Sequence, residues 1–471
     1  MAAEELLGAA IVIGAIQSDD VRAAANLVVS DGETLSGSKD IARSVLGIVT
    51  DEGHQPMSDE TAKMHFEIAR RKRLLRTYPR DPLLLTETAL QYTNIGLSHP
   101  AAHLLKIAAA VAPNNRYVLR SLTRFWVHQG EPDRALLSKS EATRSDPWLL
   151  AAQMAAEDVA NKAPSAWRET RRLLGADRFS DFELAELASA TGTLQLEAGS
   201  HKLARKMFRR SLNEPTENAV AQAQWASRRD PAIDASHAFT PNAFEALTWD
   251  RLFAGEWSNA VASARSWQGI EPFSLRPAVM GSFVSVTHLG DGKAAELFCR
   301  TGLIANKGAS ILHNNLAVAL AIQNRVDEAE TELRHVKHPE TFTEKVVNLA
   351  TQGLIEMRRG NLGEGTDLYQ EAMRLAVKSK SRLLWCRAAA HFVLEHARYD
   401  KRDLGKVVEL IETAFAGLDE KTKLLASDIP AMLRRAEGVK SASDLLQSME
   451  AIRNKMLAYP LYSDVDDPDA I

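Results

Sequence analysis

Gly290, Gly292 and Ala295 form a Gly-x-Gly-x-x-Ala motif directly after an apolar, β-branched run. A loop of this kind between a strand and a helix binds the pyrophosphate of a dinucleotide, because glycine lets the backbone approach the phosphates closely. The same chemistry needs an acidic residue about 20 positions onward to hold the ribose. The stretch 305–315 contains no acidic residue, so the motif alone is weak evidence for a cofactor.

Two further patterns could hold a metal ion or a nucleophile. His391 and His396 are five positions apart, about 140° around a helix, whereas zinc-protease histidines share one face at four-residue spacing. Cys299 and Cys386 lack metal-ligand spacing and are interpreted as two small buried thiols. Because no Gly-x-Ser-x-Gly, P-loop, Cys-x-x-Cys or kinase motif occurs, we expect no catalytic residue, no cofactor, no metal and no enzymatic activity.

The pattern with the clearest chemistry is a row of cations at four-residue steps: Arg116, Arg120, Arg124 and His128. Each step turns about 40° around a helix, so the four side chains make one slanted stripe. Charge-assisted hydrogen bonds from this stripe would suit an acidic segment of a partner. Alternatively, Asp158 and other acids of neighbouring helices neutralise the stripe as intramolecular pairs.

Other basic runs are interpreted as solvated faces. One occupies residues 70–80, and another comprises Lys202, Arg205, Lys206 and Arg209. The chain carries 57 basic and 61 acidic residues, a net charge of −4, so no global field attracts nucleic acid or anionic membrane. An accessory subunit that contacts single-stranded nucleic acid through the basic stripes is the alternative function, and interleaved exposed aromatics would favour it.

A period of 34 residues organises the elements that position these side chains. It is carried by two turn glycines, a series of alanines, two aromatics and three prolines: Gly96 and Gly130, Ala101 and Ala135, Ala108 and Ala142, Tyr92 and Trp126, and Pro79, Pro113 and Pro147. Each unit is predicted to be a helix, a glycine turn, a second helix with a small residue at its first crossing, and a closing proline.

The repeated pattern resembles the tetratricopeptide repeat (TPR) family over roughly 60–416. Further copies supply the signature small, aromatic and turn residues: Gly192, Gly199, Ala204 and Phe208; Gly255, Ala260 and Pro272; Leu316, Ala317, Asn324 and Ala329; Gly353, Gly360, Tyr369 and Ala372. The resemblance implies an all-α, right-handed α-solenoid of TPR-like helix-turn-helix repeats, with alanines such as Ala135 and Ala329 buried at helix crossings. Gly290 lies 34 positions before Asn324, so its motif is predicted to be an inter-helix turn.

In the family, certain positions of the first helix of each repeat line a concave groove that holds a partner peptide. By register these positions are Asn94, Tyr117, Arg120, Arg124, His128 and Asp158, and Arg116 is a further candidate as a member of the stripe, whereas Trp126 is expected in the core. Asn314 and Asn315 are added as candidates because Asn315 matches the middle of the carboxylate clamp of chaperone-binding members. The clamp itself is not conserved, since the flanking positions are Met280, Val284, Val347 and Thr351.

The period is interrupted, and these interruptions define the predicted regions. Ala204 and Ala260 are 56 positions apart, one repeat plus 22. The regions are a short-helix region 1–57, an array 58–226, an irregular insertion or hinge 227–240, a second array 241–416, capping helices near 419–437 and 443–458 within 417–458, and an acidic disordered tail 459–471. The insertion could equally be a tolerated surface loop, and Asp31-Gly32 could turn a hairpin instead of joining helices.

Leu6–Ile16 is the one apolar candidate for a targeting segment, and it follows two acids and is too short to span a bilayer. Together with the cysteine usage, this favours a cytoplasmic protein with no membrane contact. We therefore expect a non-catalytic scaffold or adaptor that binds a protein or peptide, with an acidic segment as one possibility. Such a protein could serve as a subunit of a hetero-complex.

Overall fold

The structure of the protein is a computed structural model. The structure describes residues 19–30, 42, 46, 59–136, 140–235, 240, 242–336, 339–399 and 404–436. Within these ranges the regular structure is helical, without a strand. The chain divides into two compact units, Met1–Ala243 and Phe244–Ile471. The all-α fold of stacked TPR-like helical pairs is confirmed in each unit.

Unit 1 contains eleven α-helices among its described residues. They are α1 Asp19–Ser30, α2 Asp59–Thr77, α3 Pro82–Asn94, α4 Ser98–Val111, α5 Arg116–His128, α6 Glu141–Ser145, α7 Pro147–Val159, α8 Trp167–Leu174, α9 Asp181–Glu197, α10 His201–Ser211 and α11 Glu217–Ser227. Helices α3, α5, α7, α9 and α11 are the first helices of successive pairs, and each packs on the next first helix in the row. We call these first helices the A helices and their partners the B helices.

Unit 2 contains twelve α-helices among its described residues. They are α12 Phe244–Phe253, α13 Trp257–Ile270, α14 Leu275–Val284, α15 Gly292–Ala305, α16 Ser310–Ile322, α17 Val326–Arg334, α18 Phe342–Arg359, α19 Leu362–Lys378, α20 Arg382–His396, α21 Leu404–Ala416, α22 Glu420–Leu425 and α23 Asp428–Ala436. A π-helical turn, Ser285–Leu289, extends α14. Its A helices are α12, α14, α16, α18 and α20.

Small residues face aromatic rings inside the pairs. A Cβ added to Gly192 would meet the Phe208 ring at 3.0 Å, and one added to Gly353 would meet the Tyr369 ring at 2.8 Å. Because a larger side chain would overpack these crossings, glycine is required for the close approach of the two helices. The predicted burial is confirmed at Ala329, which is 0% exposed.

The motif around Gly290 lies in a turn between two helices, as predicted. Gly290 has φ 69° and ends the π-helical turn, and Asn324 has φ 62° at the equivalent place one period later. Both residues adopt the left-handed conformation, which glycine and asparagine tolerate best. Asp291 then caps α15 by accepting a hydrogen bond from the Ala294 amide at 2.9 Å.

Two predicted helices, one second helix of a repeat and one capping helix, are each interrupted. The helix expected after Gly130 is a 3₁₀ turn, Pro132–Ala135, followed by the five-residue α6. Ser140 explains the restart, because its hydroxyl accepts a hydrogen bond from the Thr143 amide and so caps a new helix. Ala135 is buried as predicted, 1% exposed, but in that 3₁₀ turn.

The helix expected over 419–437 is also interrupted, as α22 and α23. Pro430 has no amide hydrogen, and its ring would clash with the carbonyl four positions earlier, so a continuous helix cannot cross Ala426. Of the predicted insertion 227–240, Ser227 is the last residue of α11, and residues 228–235 and 240 are described and lie outside helices. Within the predicted region 1–57, residues 19–30, 42 and 46 are described and are helical. The alternative hairpin turn at Asp31-Gly32, the 443–458 helix and the tail lie outside the described residues.

Candidate partner-binding face

Arg120 marks the centre of the predicted groove in unit 1. Its Nη2 donates to Glu186 Oε2 at 2.7 Å. Arg120 lies on α5 and Glu186 on α9, so the bond reaches past the intervening A helix, α7. The bond therefore lies on the face that the A helices α5, α7 and α9 share.

Trp148 of α7 forms the floor beneath this bond. The Arg120 guanidinium lies 4.5 Å from the centroid of the Trp148 ring, and the Arg116 guanidinium lies 5.7 Å from it. Stacking of a guanidinium on an indole combines cation–π attraction with apolar contact. The side chain of Arg120 is consequently held at 30% exposure with its charge still accessible to solvent.

The N-terminal turn of α5 is tied to its neighbours by two further polar contacts. Arg116 Nε donates to Asp146 Oδ2 at 2.6 Å, and Asp146 also caps α7. The Tyr117 hydroxyl donates to Glu87 of α3, and its pKa is raised to about 12, mainly by burial and then by this carboxylate. Of the predicted stripe, Arg116 and Arg120 thus have carboxylate partners within the chain.

Asp158 and Glu197, near the C-terminal ends of their A helices, differ from Asp146 and Glu186 in their electrostatic surroundings. Asp158 of α7 has a raised pKa because of burial, and Glu197 of α9 has a raised pKa because of burial and then the nearby Asp158 charge. Among the described residues, no ion pair within 4.0 Å is formed by either. The Arg229 charge lowers the pKa of Glu197 from a distance, while its guanidinium stacks on Trp225.

The remaining predicted residues of unit 1 are distributed along the same helices. Arg124 is exposed and His128 is half-buried, both on α5. Asn94 is the last residue of α3 and is 7% exposed. Its Oδ1 has no hydrogen-bond partner within the described structure, so this buried amide keeps an unused acceptor.

Asn314 and Asn315 lie in unit 2 and connect A helices. Asn314 Oδ1 accepts from Thr351 Oγ1 of α18 at 2.9 Å, and Asn315 Nδ2 donates to Ser282 Oγ of α14 at 3.0 Å. Each amide is therefore bonded to the neighbouring repeat. Both residues lie on α16 in unit 2, whereas Arg120 lies in unit 1.

Three further residues of these A helices, Trp148, Glu186 and Glu197, are not indicated by any motif or stripe of the sequence. Trp148 follows the closing proline of a repeat, and Glu186 lies in a long apolar stretch that shows no stripe. A helical register for residues 147–197 would have placed all three on A helices. No local spacing predicts that Glu186 meets a residue 66 positions earlier.

The two cysteines are buried, as the sequence suggested. Cys299 and Cys386 are free, buried thiols, and burial raises the pKa of each to about 12. Across the described ranges, no group of three His, Cys, Asp or Glu side chains could hold a metal ion. A search of the same ranges finds no helix with the length and apolar character needed to cross a membrane.

The basic run on α10 is partly neutralised. Arg205 donates to Asp230 through Nε at 2.8 Å and Nη2 at 2.9 Å, and His201 contacts the same carboxylate. This arrangement lowers the pKa of Asp230 to about 2, chiefly through the Arg205 hydrogen bonds. The cation thereby anchors the segment after α11.

Comparisons with known proteins add little to the geometry. No protein-family model matches the chain, and no curated protein matches it. The solved structures that it resembles include the crystal structure of yeast Tom70, at 12% sequence identity and a TM-score of 0.30 over 97% of this chain and 99% of that chain. At that level of superposition the similarity carries no argument. The fold of TPR-like helical pairs therefore rests on the structure of the chain itself.

Proposed function

We propose that this protein is a non-catalytic scaffold or adaptor of the TPR family, and that it binds a segment of a partner protein along the concave face of unit 1. The observation that supports the proposal is the Arg120 to Glu186 bond across α7, because it joins A helices two repeats apart on the face that these helices share. We further propose that such binding contributes to a multiprotein complex. The free buried thiols are compatible with a reducing, cytoplasmic setting.

The face offers apolar as well as polar contacts. Leu83 and Leu90 of α3 are 51% and 36% exposed and share a helix stripe with Glu87, the acceptor of the Tyr117 hydroxyl. Burial of such side chains by a partner contributes about 25 cal/mol per Å² of apolar area. The polar groups between them would orient the bound segment.

The charges of this face favour a partner segment of mixed charge. A carboxylate of the partner would compete with Asp146 and Glu186 for Arg116 and Arg120. A lysine or arginine of the partner would offset the burial that raises the pKa of Asp158 and Glu197. The proposed ligand thus carries an acidic residue toward α5 and a basic residue toward the C-terminal ends of α7 and α9.

Site-specific photo-crosslinking tests this proposal. A photoreactive amino acid replaces Tyr117 on the A-helix face or Leu203 on the B helix α10, and the two positions are matched at 42% exposure. We expect a partner crosslink from position 117 and none from position 203. Equal crosslinking from both positions, or crosslinking from 203 alone, would contradict binding at the concave face.

Charge variants define the sign of the partner. Asp158→Lys should weaken partner recovery if the segment presents a basic residue there, while Arg209→Glu on α10 serves as a charge-reversal control away from the face. Circular dichroism checks that both variants keep their helix content. If Asp158→Lys and Arg209→Glu recover the partner equally, Asp158 is not part of the site.

A further inference from the structure

The last described segment of unit 2 packs against the A helices of its own array. We define the C-terminal clasp as residues 427–436, that is Ser427 and helix α23. The clasp packs both on α20, the preceding A helix, and on the π-helical turn 285–289 at the end of α14. Helices α14 and α20 are A helices, and two further A helices, α16 and α18, lie between them in the row. The clasp therefore bridges repeats that do not follow one another.

One end of the clasp caps the turn at 285–289. Arg435 Nη1 donates to the carbonyl of Val286 at 2.9 Å and to that of Thr287 at 3.1 Å. Carbonyls in the last turn of a helix lack intrahelical partners, and a cation there also offsets the helix dipole. Arg434, the preceding residue, places its guanidinium 5.4 Å from the centroid of the Trp257 ring.

The other end of the clasp is held by an ion pair with α20. Arg387 Nε donates to Asp428 Oδ2 at 2.9 Å, and its Nη2 donates to Asp428 Oδ1 at 3.2 Å. Asp428 is only 1% exposed, so the pair is shielded from solvent. The same Arg387 guanidinium lies 5.6 Å from the ring of Phe283 on α14. This site is therefore assembled by α14 and α20 together.

Between these ends the clasp presents a regular apolar face. Ile429, Met432, Leu433 and Ala436 are each at most 3% exposed, and their spacing is that of one helix stripe. Asp428 and Arg435 are seven positions apart, close to two helical turns, so both project from the same side. The clasp thus has the form of an amphipathic helix in a groove, one of the common modes of peptide recognition.

Helix α23 has nine residues, and an isolated helix of that length is unstable in water. Its helicity depends on docking, and non-helical residues at 426–427 separate it from α22. We propose that the C-terminal clasp is a releasable intramolecular ligand of unit 2, and that the site it vacates binds an amphipathic helix of a partner carrying an acidic residue and, seven positions later, an arginine. This site is distinct from the concave face of unit 1 and goes beyond the function proposed for that face.

Hydrogen exchange on the unmodified full chain tests whether the clasp opens. We expect the amides of 431–436 to exchange at least tenfold faster than the core amides of α19 and α20, because they open locally while the array stays folded. If the clasp exchanges at the same rate as α20, it is a permanent cap and the proposal is wrong.

A peptide with the sequence of residues 419–437 tests the site itself. In the full chain, Asp428→Arg places a cation against Arg387 and releases the clasp, so this variant should bind the labelled peptide at least tenfold more tightly than the unmodified chain. The double variant Asp428→Arg, Arg387→Asp restores an ion pair in reversed order and should return peptide binding to the unmodified level.

Arg374→Asp, on an exposed side chain of α19, is the matched control and should leave peptide binding unchanged. A folded Asp428→Arg variant that binds the peptide no better than the unmodified chain would overturn the proposal. If Asp428→Arg does not fold, the hydrogen-exchange result on the unmodified chain decides.

Discussion

Gly281 of α14 lies so close to Phe298 of α15 that a Cβ added to it would fall 2.4 Å from the ring. Gly192 with Phe208 and Gly353 with Tyr369 show the same relationship in other repeats. The contact is thus a recurrent feature of the fold. In each case the A helix has a glycine at the crossing, so an aromatic ring of the B helix packs directly against its backbone.

Substitution of Gly281 by alanine should therefore destabilise the protein. Phe298 is 1% exposed and enclosed, so relief of the overlap must shift packed atoms, at a cost of about 1–3 kcal/mol. Gly269→Ala on α13 is the control, since its added Cβ meets no atom within 4 Å, and alanine there should stabilise by about 0.5–1 kcal/mol. Thermal unfolding should give shifts of opposite sign, and a neutral Gly281→Ala would refute the packing described.

The Arg120 and Glu186 side chains should be energetically coupled. They form a partly buried, charge-assisted hydrogen bond of 2.7 Å, for which we expect a coupling of about 1–3 kcal/mol. A double-mutant cycle with Arg120→Ala and Glu186→Ala measures it by urea unfolding. The exposed pair Arg134 and Glu131 is the matched cycle, with an expected coupling under about 1 kcal/mol. Equal couplings in the two cycles would be inconsistent with a shielded bond across α7.

Glu395→Gln should be among the most destabilising conservative changes in unit 2. Arg358 and Glu395 form an ion pair, and their side chains are 2% and 4% exposed. The Arg358 guanidinium also donates to Asn324 Oδ1 at 2.8 Å. Loss of the carboxylate charge leaves a buried cation uncompensated, which costs about 3–5 kcal/mol. Arg374→Gln, at an exposed side chain of α19, should change the free energy of unfolding by less than about 0.5 kcal/mol. Denaturant titrations with similar midpoints for both variants would contradict this assignment.

Acidification should destabilise unit 2 through His288. Its Nε2 contacts Ser427 of the clasp at 3.1 Å, and burial lowers its pKa from 6.5 to about 4. The charged groups around it are Asp428, Arg387, Arg434 and Arg435. The neutral imidazole is favoured in the folded state, so full stability is present above pH 6.5 and about 3 kcal/mol is lost as the pH falls to about 4.

The measurement for His288 is the unfolding free energy as a function of pH. His288→Gln should reduce the decline between pH 6.5 and 4 without abolishing it, because burial also lowers the pKa of His391. His103→Gln, on an exposed residue of unit 1, should leave the decline in place. The assignment fails if the slope in this range is the same in all three proteins.

Much of the fold was predictable because its contacts are local. Glycine, alanine and aromatic positions recur every 34 residues, and within one helix-turn-helix pair the separation of Gly353 and Tyr369 already determines that they meet. The turn assignment of Gly290 follows from the same register. The period does not predict the interrupted helices at 132–145 and 420–436, because the residues that explain the interruptions, Ser140 and Pro430, are not part of the repeated pattern.

The candidate site was predictable only as a row of positions. The sequence by itself determined that Arg116 and Arg120 share a helix stripe, since that depends on helical spacing alone. Only the tertiary structure decided that Arg120 meets Glu186, 66 positions later, and that Arg435 reaches Val286, 149 positions earlier. Such contacts depend on small rotations that accumulate from repeat to repeat, and no single repeat of the sequence specifies their sum.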